Sequence, residues 1–172
     1  MCMGGGGGLK IEILDFLLDL NHNVKNFFEV SPYTHPFQTP EMIRVNLDDE
    51  RLLNYQPFTM IAYKGDELIA VWFIGIHEVK KLTTFKVISI DGGPVLKAPQ
   101  HAPYIRNLLS ETINFARDKN VKFIFIRNDF VYGKELMEPA CSLGFHVLSR
   151  YASVIDLSQP KEVLWSSLPK SK

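Results

Sequence analysis

Apolar and polar residues alternate with two different periods along this chain, and each change of period predicts an element. From Leu9 to Leu20, Ile13, Leu14, Leu17 and Leu20 stand opposite Glu12, Asp15 and Asp19, a spacing of three and four that predicts an amphipathic helix. A second, short helix is expected over Val24 to Glu29. Prolines at 32, 36 and 40 exclude a long regular element between them. Pro40 suits the first position of a helix reaching Leu47, with Thr39 as its cap, and the acidic run Asp48-Asp49-Glu50 ends it.

The period then shortens to two. Phe58 to Tyr63 and Leu68 to His77 read as strands joined by a Lys64-Gly65-Asp66-Glu67 turn. On the second strand Leu68, Ala70, Trp72, Ile74 and Ile76 fall on one face and Ile69, Val71 and Phe73 on the other, so it is expected at the centre of a sheet covered on both sides. A third strand, Thr83 to Ile90, returns antiparallel and runs into Asp91-Gly92-Gly93-Pro94. A helix over Pro103 to Lys119 follows, with Ile105, Leu108, Leu109, Thr112 and Ala116 on its apolar stripe and Asn120 as its stop. Phe123-Ile124-Phe125-Ile126 is an unbroken apolar run, expected to be a buried parallel strand. A helix over Lys134 to Ser142 closes on Gly144, with Pro139 expected to kink or shorten it. A long strand, Phe145 to Leu157, and a helix from Pro160 to Leu168 end the pattern. The order predicts a mixed α/β (α+β) domain over residues 9–172 behind a flexible Gly-rich tail at 1–8.

Composition narrows the classes. The chain has 172 residues, 46% apolar and 22% charged, which suits one soluble domain. Lys plus Arg and Asp plus Glu balance at 19 each, so no basic excess points to DNA and no polybasic run to a membrane surface. No apolar run reaches the ~18–20 residues of a membrane span. The acids within 11–20 exclude a signal-peptide core, and for a start at Met3, Gly8 stands where a myristoylation motif needs Ser or Thr. Two cysteines, Cys2 in the tail and Cys141 in a helix, fit reduced thiols in a cytoplasmic protein rather than a disulfide.

The five histidines are scattered without metal-ligand spacing, so no metal site is expected. No nucleophile elbow, phosphate-binding Walker loop or dinucleotide fingerprint occurs. Gly92, Gly93 and Pro94 mark a strand-to-helix junction, which serves either as a tight strand exit or as a place where a ligand approaches backbone. Arg127 and Asp129 close the parallel strand, where binding groups gather, although a salt bridge or turn cap is the plain alternative. Tyr151 follows Arg150 on the last strand, and Tyr33, Tyr63, Trp72 and Tyr104 are further aromatic candidates whose default role is packing.

Five stretches taken together carry a resemblance. They are Pro36-Phe37-Gln38-Thr39-Pro40-Glu41, Gly92-Gly93-Pro94-Val95, Phe123 to Asp129, Leu143-Gly144-Phe145 and Ser153-Val154-Ile155-Asp156-Leu157-Ser158. In order and spacing they resemble the GNAT superfold and, more narrowly, the first of the two GNAT-like domains of FemABX-type peptidoglycan-bridge aminoacyltransferases. The resemblance covers about Tyr33 to Lys172, and Leu168-Pro169-Lys170-Ser171-Lys172 is similar to the start of that family's basic stretch. Met42, where the family usually has Trp, and Pro139 depart from the pattern.

The resemblance implies a GNAT-like mixed sheet and an amide-forming transfer of an aminoacyl group to a cell-wall precursor amine. It also implies that aminoacyl-tRNA is handled by a second domain. Gln38, Arg127, Asp129 and Tyr151 become candidate substrate-binding residues, and no catalytic residue is assigned. A working GNAT domain holds its cofactor pyrophosphate with an Arg/Gln-x-x-Gly-x-Gly/Ala loop; Gly92 to Pro99 lacks that spacing, and two prolines remove donors, so no cofactor and no tight acetyl-CoA binding are expected. Two other readings stand beside this one: a degenerate GNAT domain used for binding or assembly, and an N-acyltransferase for a small amine. Leu164, Trp165 and Leu168 on a truncated final helix would favour a protein partner there.

Overall fold

Strand β3 (Glu67–Lys80) is apolar on both faces, and every residue from Ile69 to Ile76 is buried. Such a strand is stable only between two neighbours and under two layers, and the rest of the fold supplies them. The computed structural model describes residues 8–16, 22–32, 37–127 and 133–148. Its other elements are β1 (Leu9–Asp15), α1 (His22–Val30), α2 (Pro40–Leu47), β2 (Gln56–Lys64), β4 (Thr84–Asp91), β5 (Val95–Leu96), α3 (Ile105–Asp118), β6 (Val121–Arg127) and α4 (Lys134–Ser142). The sheet order is β1-β2-β3-β4-β6, with β5 paired to β3. All pairs are antiparallel except β4 with β6, which is parallel.

Two clusters fill the two faces. Trp72, Ile74, Ile76, Met60, Ile88 and Ile90 pack under α3 and α4, and Val71, Phe73, Ile61 and Val95 pack under α1 and α2. A fully buried side chain of this size contributes roughly 1.5–3 kcal/mol, so each cluster outweighs any local propensity at the sheet. The apolar stripe of α3 is buried as its period predicts, and Asn120 ends the helix at φ +55°. Thr39 caps α2, its hydroxyl accepting from the Met42 N–H at 3.3 Å. Gly144, at φ +87°, closes α4, and Pro139 does not shorten that helix. Cys141 lies on α4 with its thiol exposed.

Several expectations are corrected. The helix predicted over 9–20 is strand β1 across Leu9–Asp15; positions 17–20 lie outside the described residues. Leu9, Ile11 and Ile13 also alternate with Lys10 and Glu12. The open edge of β2 offers a partner to every residue from Leu9 to Asp15, which a short isolated helix cannot match. Leu68 and Ile69 exchange faces. A bulge between Ala62 and Tyr63 pairs these with Ala70 and Leu68, leaving Ile69 between them, so Ile69 packs under α3 and Leu68 towards α1. Before α3 the chain forms a 3-10 helix, Pro99–Tyr104, and the α-helix starts at Ile105 rather than Pro103.

Strand β6 is parallel as expected but only half-buried, and on one face only. Ile124 and Ile126 pack into the α3 side, whereas Phe123 and Phe125 are 51% and 56% exposed because no described element covers the other face. Phe145 to Leu148 show no strand, and the remainder of the predicted final strand and helix lies outside the described residues.

Candidate substrate-binding junction

Strands β4 and β6 run parallel in register to their last residues, Asp91 opposite Arg127. Gly92 then turns the chain at φ +86°, a backbone state that glycine adopts without a Cβ clash, and its N–H donates to the Arg127 carbonyl at 2.6 Å. The turn carries β5 back to β3, where Val95 and Leu96 pair with Val71 and Ala70. Strand β3 therefore meets β4 up to Gly75 and β5 from Val71, and Phe73 falls in the gap between them.

Gln38 fills that gap. Its Oε1 accepts the Phe73 N–H at 2.7 Å, and its Nε2 donates to the Phe73 carbonyl at 3.3 Å and to the Asp91 carbonyl at 2.7 Å. One side-chain amide thus replaces the missing strand residue, satisfying a buried backbone pair that would otherwise be orphaned. Gln38 is 1% exposed, so its contact with any ligand is blocked by the protein around it.

Two further backbone oxygens of the turn are also engaged. Trp72 Nε1–H donates to the Gly92 carbonyl at 3.3 Å, and the Ser31 hydroxyl donates to the Leu96 carbonyl at 2.6 Å. The Lys97 N–H donates to Ile69, and the Lys97 ammonium pairs with Glu67 at 2.7 Å. Gly92, Gly93, Pro94, Val95 and Leu96 are all buried. Ahead of α3, the His101 N–H bonds to the Ala98 carbonyl within the 3-10 turn, and the Ile105 N–H to that of Ala102. A pyrophosphate needs several outward-facing backbone N–H groups. Pro99 and Pro103 supply none, and the N–H groups of Gly92, Lys97, His101 and Ile105 bond within the chain.

What faces solvent at this end of the sheet is an ion pair. Arg127 Nε donates to Asp91 Oδ1, with side-chain exposures of 70% and 23%. Beside it, the Tyr55 ring lies against Gly75: a Cβ at that glycine would stand 2.6 Å from the Tyr55 hydroxyl and 2.7 Å from Cζ. Burial pushes the Tyr55 phenol above its usual pKa; a hydrogen bond with Asn46 opposes the shift, and the Asp91 charge adds to it. Tyr55 therefore stays neutral next to the carboxylate. Phe125 stacks with Phe123 at 6.1 Å, and Phe123 meets Phe85 edge-on at 5.6 Å, so an exposed aromatic row continues along the same face from Arg127.

Of the sequence candidates, Gln38 and Arg127 come together, through Asp91. Gly92, Gly93 and Pro94 form the buried turn beneath them, and Asp129 and Tyr151 lie outside the described residues. Asp91 and Tyr55 were missed. Counting the parallel register would have placed Asp91 opposite Arg127; nothing in the sequence joins Tyr55 to Gly75. Among the described residues no three His, Cys, Asp or Glu side chains gather to hold a metal. No described helix is long and apolar enough to cross a membrane.

No family model and no curated protein matches the sequence. The structure does have relatives among solved proteins. It superposes on a transcriptional regulator from Bacillus halodurans C-125 with a TM-score of 0.56 at 11% identity, covering 86% of this chain and 100% of the other. An aminoglycoside acetyltransferase, HMB0005, from an uncultured soil metagenomic sample gives 0.52 at 13%, covering 87% and 99%. The fold is that of the GNAT acetyltransferases. A ribosomal-protein-alanine N-acetyltransferase from Brucella melitensis biovar Abortus 2308 gives 0.50 at 10%, covering 86% and 100%. At these identities the likeness is one of fold: the GNAT mixed sheet with helices on both faces, as the sequence resemblance implied.

Proposed function

We propose that this chain is an acyl-transfer domain of FemABX type, which binds the amine-bearing acceptor at the end of β4 and β6. The acceptor class is a cell-wall precursor amine, and the product is an amide. One observation carries the reading: Gly92 to Leu96, the first part of the segment that would anchor a nucleotide cofactor, are buried, and the Gly92 and Lys97 N–H groups bond within the chain, while the Arg127 guanidinium beside them faces solvent in its pair with the less exposed Asp91. This supports a junction that leaves donor anchoring to other residues and keeps polar recognition. In such a division of labour, aminoacyl-tRNA is held by a second GNAT-like half in a cytoplasmic assembly, with residues 160–168 as the contact to a protein partner. An attacking amine must shed a proton and the tetrahedral oxyanion must find donors. Asp91 is the carboxylate positioned to hold the ammonium beforehand.

Two calorimetric titrations test this. Acetyl-CoA is expected to give no micromolar binding, and a muropeptide precursor with a free side-chain amine is expected to bind and to lose affinity in Arg127→Ala with the fold intact. Micromolar acetyl-CoA binding, or precursor binding indifferent to Arg127, would overturn the reading.

A second reading, an N-acyltransferase of a small amine, is favoured by one finding. The solved GNAT neighbours are matched over 99% and 100% of their own length, so for those proteins the fold is the whole chain. Mass-spectrometric detection of an acylated amine from acetyl-CoA would select it.

A further inference from the structure

The acceptor end of the sheet combines three features that one class of ligand matches. Asp91 and Arg127 present opposite charges side by side at solvent-facing strand ends. Tyr55, held on Gly75 and bonded to Asn46, stands near the Asp91 carboxylate. Phe125, two residues before Arg127 and therefore on the same face, is 56% exposed and stacked on Phe123. An exposed ion pair of this kind holds a fold together only weakly, so its exchange for other partners is easy.

We infer that this surface binds an α-amino acid group bearing an aromatic or apolar side chain, either free or as the amino-acid head of a larger acceptor. The ligand ammonium takes Asp91 and the ligand carboxylate takes the planar guanidinium of Arg127, which suits a carboxylate in two-point contact. The four charges then alternate, and Asp91 and Arg127 each exchange their contact with the other for a ligand group of the same sign. The side chain lies along the Phe125 and Phe123 rings. The inference rests on the acceptor-binding reading for its location, but acyl transfer plays no part in its test.

The probes are L-phenylalanine, 2-phenylethylamine and 3-phenylpropionate, which share one skeleton and differ in which charge they carry. Affinities are measured by calorimetry, with amide shifts of Gly92 and Arg127 followed by NMR. L-Phenylalanine is expected to bind about tenfold or more tightly than either single-charge analogue, a factor set by one added charge-assisted contact. Asp91→Asn and Arg127→Met are each expected to erase that advantage. Arg127→Lys, which keeps the charge on an exposed position, should retain part of it. Phe125→Ala should remove the preference for L-phenylalanine over L-alanine. Equal binding of the amine-only probe, absence of binding at millimolar concentration, or L-phenylalanine binding unaffected by both charge substitutions would each overturn the inference. If the zwitterion binds and no acylation is found, the site stands and the transfer reading falls. If amines without a carboxylate are acylated equally well, the reverse holds.

Discussion

Gln38 offers the sharpest test of how this junction is held. Replacing it by Leu keeps much of the volume and removes every polar atom. The Phe73 N–H then has no acceptor, and the Phe73 and Asp91 carbonyls each lose a donor, all in surroundings where Gln38 itself is 1% exposed. An orphaned buried group costs about 1–3 kcal/mol, and a carbonyl with a second lone pair less than an N–H. The expected loss is therefore about 3 kcal/mol. Urea unfolding followed by far-UV circular dichroism reads it directly: with m of about 2–3 kcal/mol/M, the midpoint falls by about 1–1.5 M. Hydrogen exchange at Phe73 should quicken by more than at Ile61, which is paired within the sheet.

Gln38→Glu adds a sign. It keeps an acceptor for the Phe73 N–H but turns a carboxylate oxygen towards two carbonyls, which disfavours its ionised form. The folded pKa is then raised above the unfolded value of about 4.3. The folded state binds the proton more tightly, so this variant is most stable below that value and loses stability as pH rises through the folded pKa. A Gln38→Leu midpoint within about 0.3 M of the parent, less than one net hydrogen bond at that m-value, would refute the bridging role.

Two further outcomes follow from the same geometry. Gly75→Ala places a Cβ within 2.7 Å of Tyr55 Cζ, so the ring must leave its seat; the expected cost is about 1–3 kcal/mol with a Tyr55 phenol returning towards its ordinary value of about 10, read by ultraviolet pH titration. An unshifted titration would show that Gly75 does not seat the ring. Burial lowers the pKa of His101, which is 6% exposed with its Nδ1 unpartnered among the described residues, and burial lowers that of His77 as well. The unfolded state therefore binds more protons, so stability present above about pH 6.5 is lost as pH falls through the lower, folded values. His101→Gln should flatten that slope in urea midpoints measured from neutral to acid, and an unchanged slope would assign it elsewhere.

The sheet was legible wherever one residue type had only one use. Leu68 to His77 is apolar on both faces, which admits only a central strand, and the Thr39-Pro40 start of α2 and the Gly144 end of α4 are local backbone chemistry. Leu9 to Asp15 misled because its residues satisfy two periods, and the choice fell to the free edge of β2, a partner more than forty residues away. The half-exposed state of β6 was illegible for a related reason: an unbroken apolar run shows that its faces are alike, not that both are covered. At the junction, Arg127 could be placed at a strand end, but its partner Asp91 emerges only from the parallel register.

The amino-acid order by itself determined the order of the longer elements from α2 to α4, though not the short β5 or the 3-10 turn, together with the central strand, the glycine turn and the absence of a phosphate-loop motif, because these depend on short-range periodicity and on Gly and Pro stereochemistry. Tertiary structure alone decided what Gln38 does. Its side chain is bound by a gap between β4 and β5 that exists only once both have paired with β3. The same holds for Tyr55 on Gly75 and for the Asp91–Arg127 pair: each is a meeting of residues distant in the chain, selected by burial and register rather than by any local preference.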